Sequence, residues 1–154
     1  MTMIYAYETM LCPSERVPEF IADYLAGFGG GEHAPGKLPI RLQVGDLIVE
    51  QDVEAQITPR PGILGYQLFD LTWKPENEAL FPRFKGTLSA ADEGGGFCRL
   101  DLDGSYSPPL WPLGAAFDAA LGHRIAEATV RDLLQRFKYH CEAAALAEPV
   151  SHPA

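Results

Sequence analysis

Cysteine is scarce in this 154-residue sequence, and Cys12, Cys98 and Cys141 lie far apart without a CxxC pair. An odd number of widely spaced cysteines excludes a disulfide framework, and the missing paired spacing argues against a structural zinc site. Cys98 and Cys141 fall on apolar faces of a predicted strand and a predicted helix, so we expect them to be buried packing thiols. A catalytic cysteine with a distant histidine stays open, although no local motif supports one.

Long apolar runs are also missing, since none reaches the roughly 18 residues that span a bilayer. The N-terminal stretch MTMIYAYETMLCP has neither the basic start nor the long apolar run of a secretory signal. We therefore expect no stable membrane insertion and a cytoplasmic location.

Positive charge is low, with 12 Lys and Arg against 21 Asp and Glu, a net charge of −9 and no dense basic cluster. Such a surface repels nucleic acids and anionic membranes, which argues against nucleic-acid binding. Motifs that hold metals or phosphates are missing too. The one stretch that resembles a calcium loop, DLDG at Asp101–Gly104, lacks the twelve-residue acidic spacing that such a loop needs. The sequence therefore predicts neither a metal nor a cofactor.

The residues that are present have the composition of a globular protein, with 47% apolar and 21% charged residues. The length suits one ordinary domain, and there is no internal repeat or convincing linker. We expect a single domain over residues 1–146 and a flexible C-terminal tail over residues 147–154.

The order of secondary structure follows from changes in hydrophobic period. MIYAYETMLC alternates like a strand, and PSERVPEFIADYLAGF predicts two short helices, one capped by Ser14 and one with Pro18 at its first position. From Leu38 the period is two, and PRPG, KPENE and ADEGGG separate the long strands of an antiparallel meander. Gly86 and Gly104 lie inside these strands and predict sharp bends.

A long helix ends the chain, and we expect it to begin near Leu113. Its apolar stripe is a continuous row at spacing four, formed by Phe117, Leu121, Ile125, Thr129, Leu133, Phe137 and Cys141. Some 30 helical residues reach roughly 45 Å, so the helix must lie along something equally long, such as a curved sheet.

This element order resembles the helix-grip fold of the START-like, or SRPBCC, superfamily. The stretches LFPRFKGTLS and GSYSPPLWPLGAAFDAALGHRIAEATVRDLLQRF are similar to bacterial members with no assigned activity. The resemblance implies an α+β fold. A curved antiparallel sheet of six or seven strands would wrap around the C-terminal helix, with two short helices after the first strand.

The resemblance also implies a cavity between the concave sheet face and the long helix, suited to apolar or amphipathic molecules. The predicted ligand-binding residues are the aromatic and apolar side chains Phe69, Trp73, Phe84, Tyr106, Trp111, Phe117, Leu121, Ile125 and Thr129. The same residue types would equally fill an ordinary core. The glycines at 29–31 and the stretch SYSPPLWP are either gate segments beside the cavity mouth or structural turns.

Three polar residues are weak catalytic candidates. His123 and Glu127 share one helix face, and a carboxylate beside an imidazole can orient it for proton transfer. The alternative is a surface pair that stabilises the helix by roughly 0.3 kcal/mol. Tyr106 is the third candidate. Thr129 interrupts the apolar stripe, and its hydroxyl either bonds back to the carbonyl of residue 125 or lines the pocket.

Three functions fit these features, and the sequence leaves open whether the protein is an enzyme. The first is binding or transport of a small hydrophobic or amphipathic ligand, including a lipid, by a monomer or homodimer. The second is a cyclase or dehydratase acting on an aromatic or polyketide-type substrate. The third is docking of a basic protein on the acidic outer sheet face of Glu50, Asp52 and Glu54. We rank ligand binding first because no catalytic motif emerges, and fold analogy carries most of that ranking.

Overall fold

The computed structural model describes residues 2–31, 34–44, 46–63, 65–75, 83–107 and 119–148. Within these ranges the chain forms β1 (Thr2–Leu11), a 3-10 turn (Ser14–Arg16), α1 (Val17–Ala26), β2 (Gly36–Val44), β3 (Leu47–Arg60), β4 (Tyr66–Pro75), β5 (Arg83–Gly94), β6 (Phe97–Ser107) and α2 (Ala119–Ala147).

One antiparallel sheet contains the six described strands in the order β1-β6-β5-β4-β3-β2. Strands β2 to β6 form the predicted meander, and β1 returns to pair with β6. The helix α2 packs mainly against β1 and β2, the two edge strands, so the sheet curls around it as a half-barrel. The predicted helix-grip architecture is confirmed, with six strands in the described residues.

Alternation along the strands decides which face is buried. In β4, Phe69, Leu71 and Trp73 are buried, whereas the intervening Asp70 and Thr72 are exposed. Since successive side chains of a strand point to opposite faces, the buried apolar residues of the strands collect on the concave side. Other apolar strand residues, among them Met3, Tyr5 and Tyr7 of β1, are exposed. This concave side and the buried stripe of α2 make one continuous core.

Two glycines allow the sheet to bend at its centre. Gly86 of β5 and Gly104 of β6 are directly opposite each other, and Phe84 lies beside both. A Cβ on Gly104 would lie 2.4 Å from the carbonyl oxygen of Lys85 and 2.6 Å from the Cα of Gly86. The two strands therefore approach more closely here than any residue with a side chain permits.

The segment predicted as two short helices is a single 3-10 turn that continues into α1. Pro13, rather than Ser14, occupies the cap position, and the Ser14 side chain makes no capping hydrogen bond. Pro18 lies in the first turn of α1, where its missing N–H costs no helical hydrogen bond. The helix ends at Gly27, and the Gly30 N–H donates to the Leu25 carbonyl oxygen at 2.8 Å.

The long helix α2 has 29 described residues and extends about 44 Å. Its expected start near Leu113 lies outside the described residues. Leu133, Phe137 and Cys141 of the predicted stripe are completely buried. The rings of Tyr24 in α1 and Phe137 are perpendicular with centroids 5.3 Å apart, so α1 packs on the C-terminal half of α2.

The C-terminal end of α2 also contacts the segment that precedes α1. Arg16 forms an ion pair with Glu148, the residue that follows α2, and a second with Glu19 at 2.9 Å. Most of the predicted tail, residues 149–154, lies outside the described residues.

Candidate functional site

An apolar pocket of about 260 Å³ lies between α1 and the sheet. Its walls come from α1, from the end of β3, from the start of β4 and from the loop after α1. The lining residues are Pro18, Ile21, Ala22, Leu25, Gly31, Ile57, Pro59 and Phe69. None of these carries a charged or hydrogen-bonding side chain, so the walls favour a hydrocarbon or aromatic group.

The local sequence explains why space remains beneath α1. Ile21 and Leu25 are buried on the inner face of α1, while Pro18 and the exposed Ala22 are the small residues beside them. Small side chains on this face do not reach across to the sheet. Phe69 forms the floor of the pocket. Because this side chain is only 2% exposed, the surrounding core holds it in place.

Of the predicted ligand-binding residues that the structure describes, Phe69 lines this pocket, and three others form a separate aromatic group. Trp73 stacks on Phe84 with ring centroids 4.4 Å apart and an interplanar angle of 15°. Phe84 is directly opposite Tyr106 in the sheet. Trp73 follows Phe69 by four strand residues, so the aromatic group lies roughly 13 Å along β4 from the pocket floor.

The predicted ligand-binding residues of α2 have different surroundings. Ile125 and Thr129 are buried, and the Thr129 hydroxyl donates to the Ile125 carbonyl oxygen at 2.8 Å. This bond is the back-bonded alternative for the threonine, so its polar group is satisfied within the helix. Leu121 lies in α2, but its side chain is outside the described part of the chain, as are Trp111 and Phe117 altogether.

The three catalytic candidates lie near one another at the N-terminal half of α2. His123 Nε2 is 3.8 Å from Glu127 Oε2, and the His123 ring centroid is 6.4 Å from that of Tyr106. The other carboxylate oxygen of Glu127 is 2.7 Å from Arg131. Glu127 is therefore shared between two partners on the same helix, and both His123 and Glu127 are partly exposed. This arrangement is typical of ion pairs on a helix surface.

The acidic residues of the outer face are exposed in part, and basic residues lie across from them. Glu50 is opposite Arg41, and Glu54 is opposite both Lys37 and Lys74 in the sheet. The Lys74 Nζ is 3.7 Å from Glu54 Oε2. Such cross-strand pairs offset much of the negative charge that a basic partner would need.

The described residues contain no group of three or more His, Cys, Asp or Glu placed to hold a metal ion. Among the described helices, none is both long and apolar enough to cross a membrane.

Sequence reasoning missed most of the pocket. The apolar face of α1 was visible in the spacing of Ile21 and Leu25, but the gap beside it depends on how far the helix stands from β3 and β4. The available signal was the small pair Pro18 and Ala22 at spacing four on a helix face that otherwise carries large apolar residues.

Comparisons with known proteins agree with this architecture. No family model matches the chain, and no curated protein matches it. Among solved structures, a START superfamily protein from Mycobacterium smegmatis is similar, with a TM-score of 0.50 and 11% identity over 92% of this chain and 98% of that one. At this identity the likeness shows the fold, and the chain has the START, or helix-grip, fold.

Two further solved structures are similar at lower scores. A putative uncharacterised protein from Bacillus thuringiensis has a TM-score of 0.45 and 12% identity, with coverage of 88% of this chain and 98% of that chain. The Zhui aromatase/cyclase from Streptomyces sp. R1128 has a TM-score of 0.40 and 12% identity, with coverage of 94% and 91% respectively. We rest the fold assignment on the Mycobacterium protein alone.

Proposed function

We propose that the protein binds a small, neutral, apolar molecule in the pocket beneath α1. The observation that carries this proposal is a wall made only of apolar side chains and one glycine, in a fold that encloses space between helix and sheet. Apolar side chains that line such a pocket stay in contact with water unless a ligand covers them.

The size of the pocket limits the ligand. About 260 Å³ lies just below the usual range of ligand pockets, which begins at roughly 300 Å³, so a single ring or a short branched chain fits better than a whole lipid. An aromatic ring system buries roughly 150–250 Å², which at ~25 cal/mol per Å² is worth about 4–6 kcal/mol before the cost of association. We therefore expect weak to moderate affinity, in the micromolar to millimolar range.

The charge of the ligand follows from the same walls. A buried carboxylate or ammonium group without a partner is strongly disfavoured, and no lining side chain supplies one. An amphipathic ligand would place its polar end at the mouth of the pocket, where water solvates it. The aromatic group of Trp73, Phe84 and Tyr106 stays a predicted second part of the ligand-binding surface.

The test is a calorimetric titration with toluene, a neutral single-ring probe, against the wild type and two matched variants. Ala22→Phe projects a ring from α1 into the pocket and should weaken probe binding at least tenfold. Ala143→Phe makes the same change on the exposed face of α2 and should leave binding within twofold. Equal probe affinity of Ala22→Phe and wild type, with both folded by circular dichroism, would overturn the proposal.

Native mass spectrometry of the purified protein supplies the chemistry of a natural ligand. Release of an isoprenoid, aromatic or lipid molecule on denaturation would support binding and name its class. The cyclase or dehydratase alternative, with proton transfer by His123, Glu127 or Tyr106, stays a prediction, and His123→Ala would test it on any substrate so identified.

A further inference from the structure

The two edges of the sheet differ in how their backbone groups are occupied. Among the described strands, β1 and β2 each have a neighbour on one side only. On the open side of β2, the Lys37 N–H donates to the Phe28 carbonyl oxygen at 3.1 Å. The Arg41 N–H donates to Asp132 Oδ2 at 3.3 Å. Pro39, at the position between them, has no N–H. Occupied donors, two cationic side chains and a proline protect the β2 edge from pairing with a further strand.

The β1 edge has a row of unpaired backbone groups instead. The Leu11 N–H donates to Glu142 Oε2 at 3.0 Å, so the backbone groups of Leu11 point away from β6. Since antiparallel pairs alternate and β1 pairs with β6 in one continuous register, every second residue before Leu11 points the same way. We call these the open-edge residues: Met3, Tyr5, Tyr7 and Thr9. Within the described part of the chain, no other element supplies a hydrogen-bond partner for their outward N–H and C=O groups.

The side chains of the open-edge residues are uncharged and exposed. Met3, Tyr5 and Tyr7 are each more than half exposed on the outer face of the sheet. The charged residue of β1, Glu8, lies on the opposite face, 3.7 Å from Lys138 of α2. The open edge therefore lacks the charges and prolines that keep strands from pairing edge to edge.

We propose that the protein forms a homodimer in which β1 pairs antiparallel with β1 of a second copy. A second copy offers the same unpaired groups and the same uncharged side chains, so one contact satisfies both edges. The contact is isologous, and because the β2 edge is protected, assembly stops at two chains. This inference is independent of ligand binding, since no residue of β1 lines the pocket beneath α1.

The positions of the open-edge residues determine the register of the dimer. They are symmetric about Ala6, so a pairing that uses all four places Ala6 on the two-fold axis. Tyr5 then lies opposite Tyr7 of the second copy, and Met3 lies opposite Thr9 of the second copy. Each of the four resulting pairs exchanges two hydrogen bonds, about eight in all, which is within the roughly 5–15 of a typical protein interface. The last residue of β1 keeps its bond to α2.

The first test uses the wild-type chain. Sedimentation equilibrium from micromolar to near-millimolar concentration should show a reversible change from one chain to two. Amide hydrogen exchange followed by NMR should show that protection of the Tyr5, Tyr7 and Thr9 N–H groups rises at least tenfold over this range. The Lys37 N–H on the other edge should not change. A chain that stays monomeric throughout would overturn the proposal and leave the open edge to a strand of another protein.

Matched variants separate this edge from other surfaces. Thr9→Pro removes one open N–H from each chain, as Pro39 does in β2, and should weaken dimerisation at least about tenfold. Thr9→Val keeps that N–H and should stay within twofold. Tyr7→Lys places a charge on the open edge and should also weaken the dimer. Tyr66→Lys makes the same change at a half-exposed position of β4 and should not.

Circular dichroism and urea denaturation check that each variant folds, and the exchange experiment on the wild type needs no variant. A dimer that is equally stable in folded Thr9→Pro and Tyr7→Lys would overturn the pairing. Assembly beyond two chains would also overturn it, because the proposed contact uses the one unprotected edge that the described strands leave.

Discussion

Replacing Gly104 by alanine tests whether the close approach of β5 and β6 sets the curvature of the sheet. The added Cβ would lie 2.4 Å from the Lys85 carbonyl oxygen and 2.6 Å from the Gly86 Cα. Carbon atoms in contact settle at roughly 3.5–4.0 Å, so the strands must separate by about 1 Å. These two atoms belong to the backbone, so the clash remains even if the Phe84 side chain, whose Cζ would lie 2.7 Å from the added Cβ, rotates away.

The magnitude follows from the terms that this separation changes. Overpacking costs about 1–3 kcal/mol, and each weakened ladder hydrogen bond adds roughly 0.5–1.5 kcal/mol. Alanine regains about 0.5–1 kcal/mol because it restricts the unfolded chain more than glycine does. We therefore expect Gly104→Ala to lower the free energy of unfolding by roughly 2–4 kcal/mol and Tm by about 5–15 °C.

The assay is urea denaturation followed by circular dichroism, with Gly27→Ala as the matched control. Gly27 has φ −63° and the nearest atom to an added Cβ is 3.4 Å away, so its replacement should change stability by less than about 0.5 kcal/mol. The double variant Gly86→Ala/Gly104→Ala should cost less than the sum, because one separation accommodates both methyl groups. A Gly104→Ala protein as stable as wild type would refute the proposed origin of the bend.

Two further predictions concern buried polar and ionisable groups. Thr129→Val keeps the shape of the side chain and removes a hydroxyl that is bonded only within α2. We therefore expect the free energy of unfolding in urea to fall by less than about 1 kcal/mol and probe binding to stay unchanged. A tenfold loss of binding would show that the hydroxyl contacts the ligand. For Cys98, burial raises the folded pKa to about 12, whereas the unfolded thiol ionises near 8.5. Unfolding then releases a proton above pH 9, so stability should fall by about 1 kcal/mol per pH unit between pH 9 and 11. Cys98→Ala should weaken that dependence in denaturation at several pH values, and an unchanged slope would contradict the assignment.

Strand and helix periodicity predicted the order of the elements, and the resemblance to the START-like superfamily implied how they pack. Val53, Ala55 and Ile57 share one parity in the sequence and are all buried on the concave face. Their polar neighbours share the other parity, and no tertiary contact is needed to see the pattern. Likewise, the spacing of Leu133 and Phe137 predicted which side of α2 faces the sheet.

The pocket could not be predicted in this way, because it depends on where elements meet. Periodicity shows that Ile21 faces inward, but the distance between α1 and β4 is a property of packing. The hydrogen bond from the Leu11 N–H to Glu142 Oε2 likewise requires β1 to lie beside α2, which the topology provides and local patterns do not.

The pairing of the first strand with the last has a consequence for synthesis on the ribosome. β1 is made first, yet its partner β6 is complete only when Ser107 has been added. At about 5–20 residues per second, β1 waits roughly 5–20 s with Ile4 and Met10 uncovered, while β2 to β5 can already close as hairpins. Nascent chains halted before β6 should therefore bind chaperones through their N-terminal strand, and release from them should coincide with the emergence of β6.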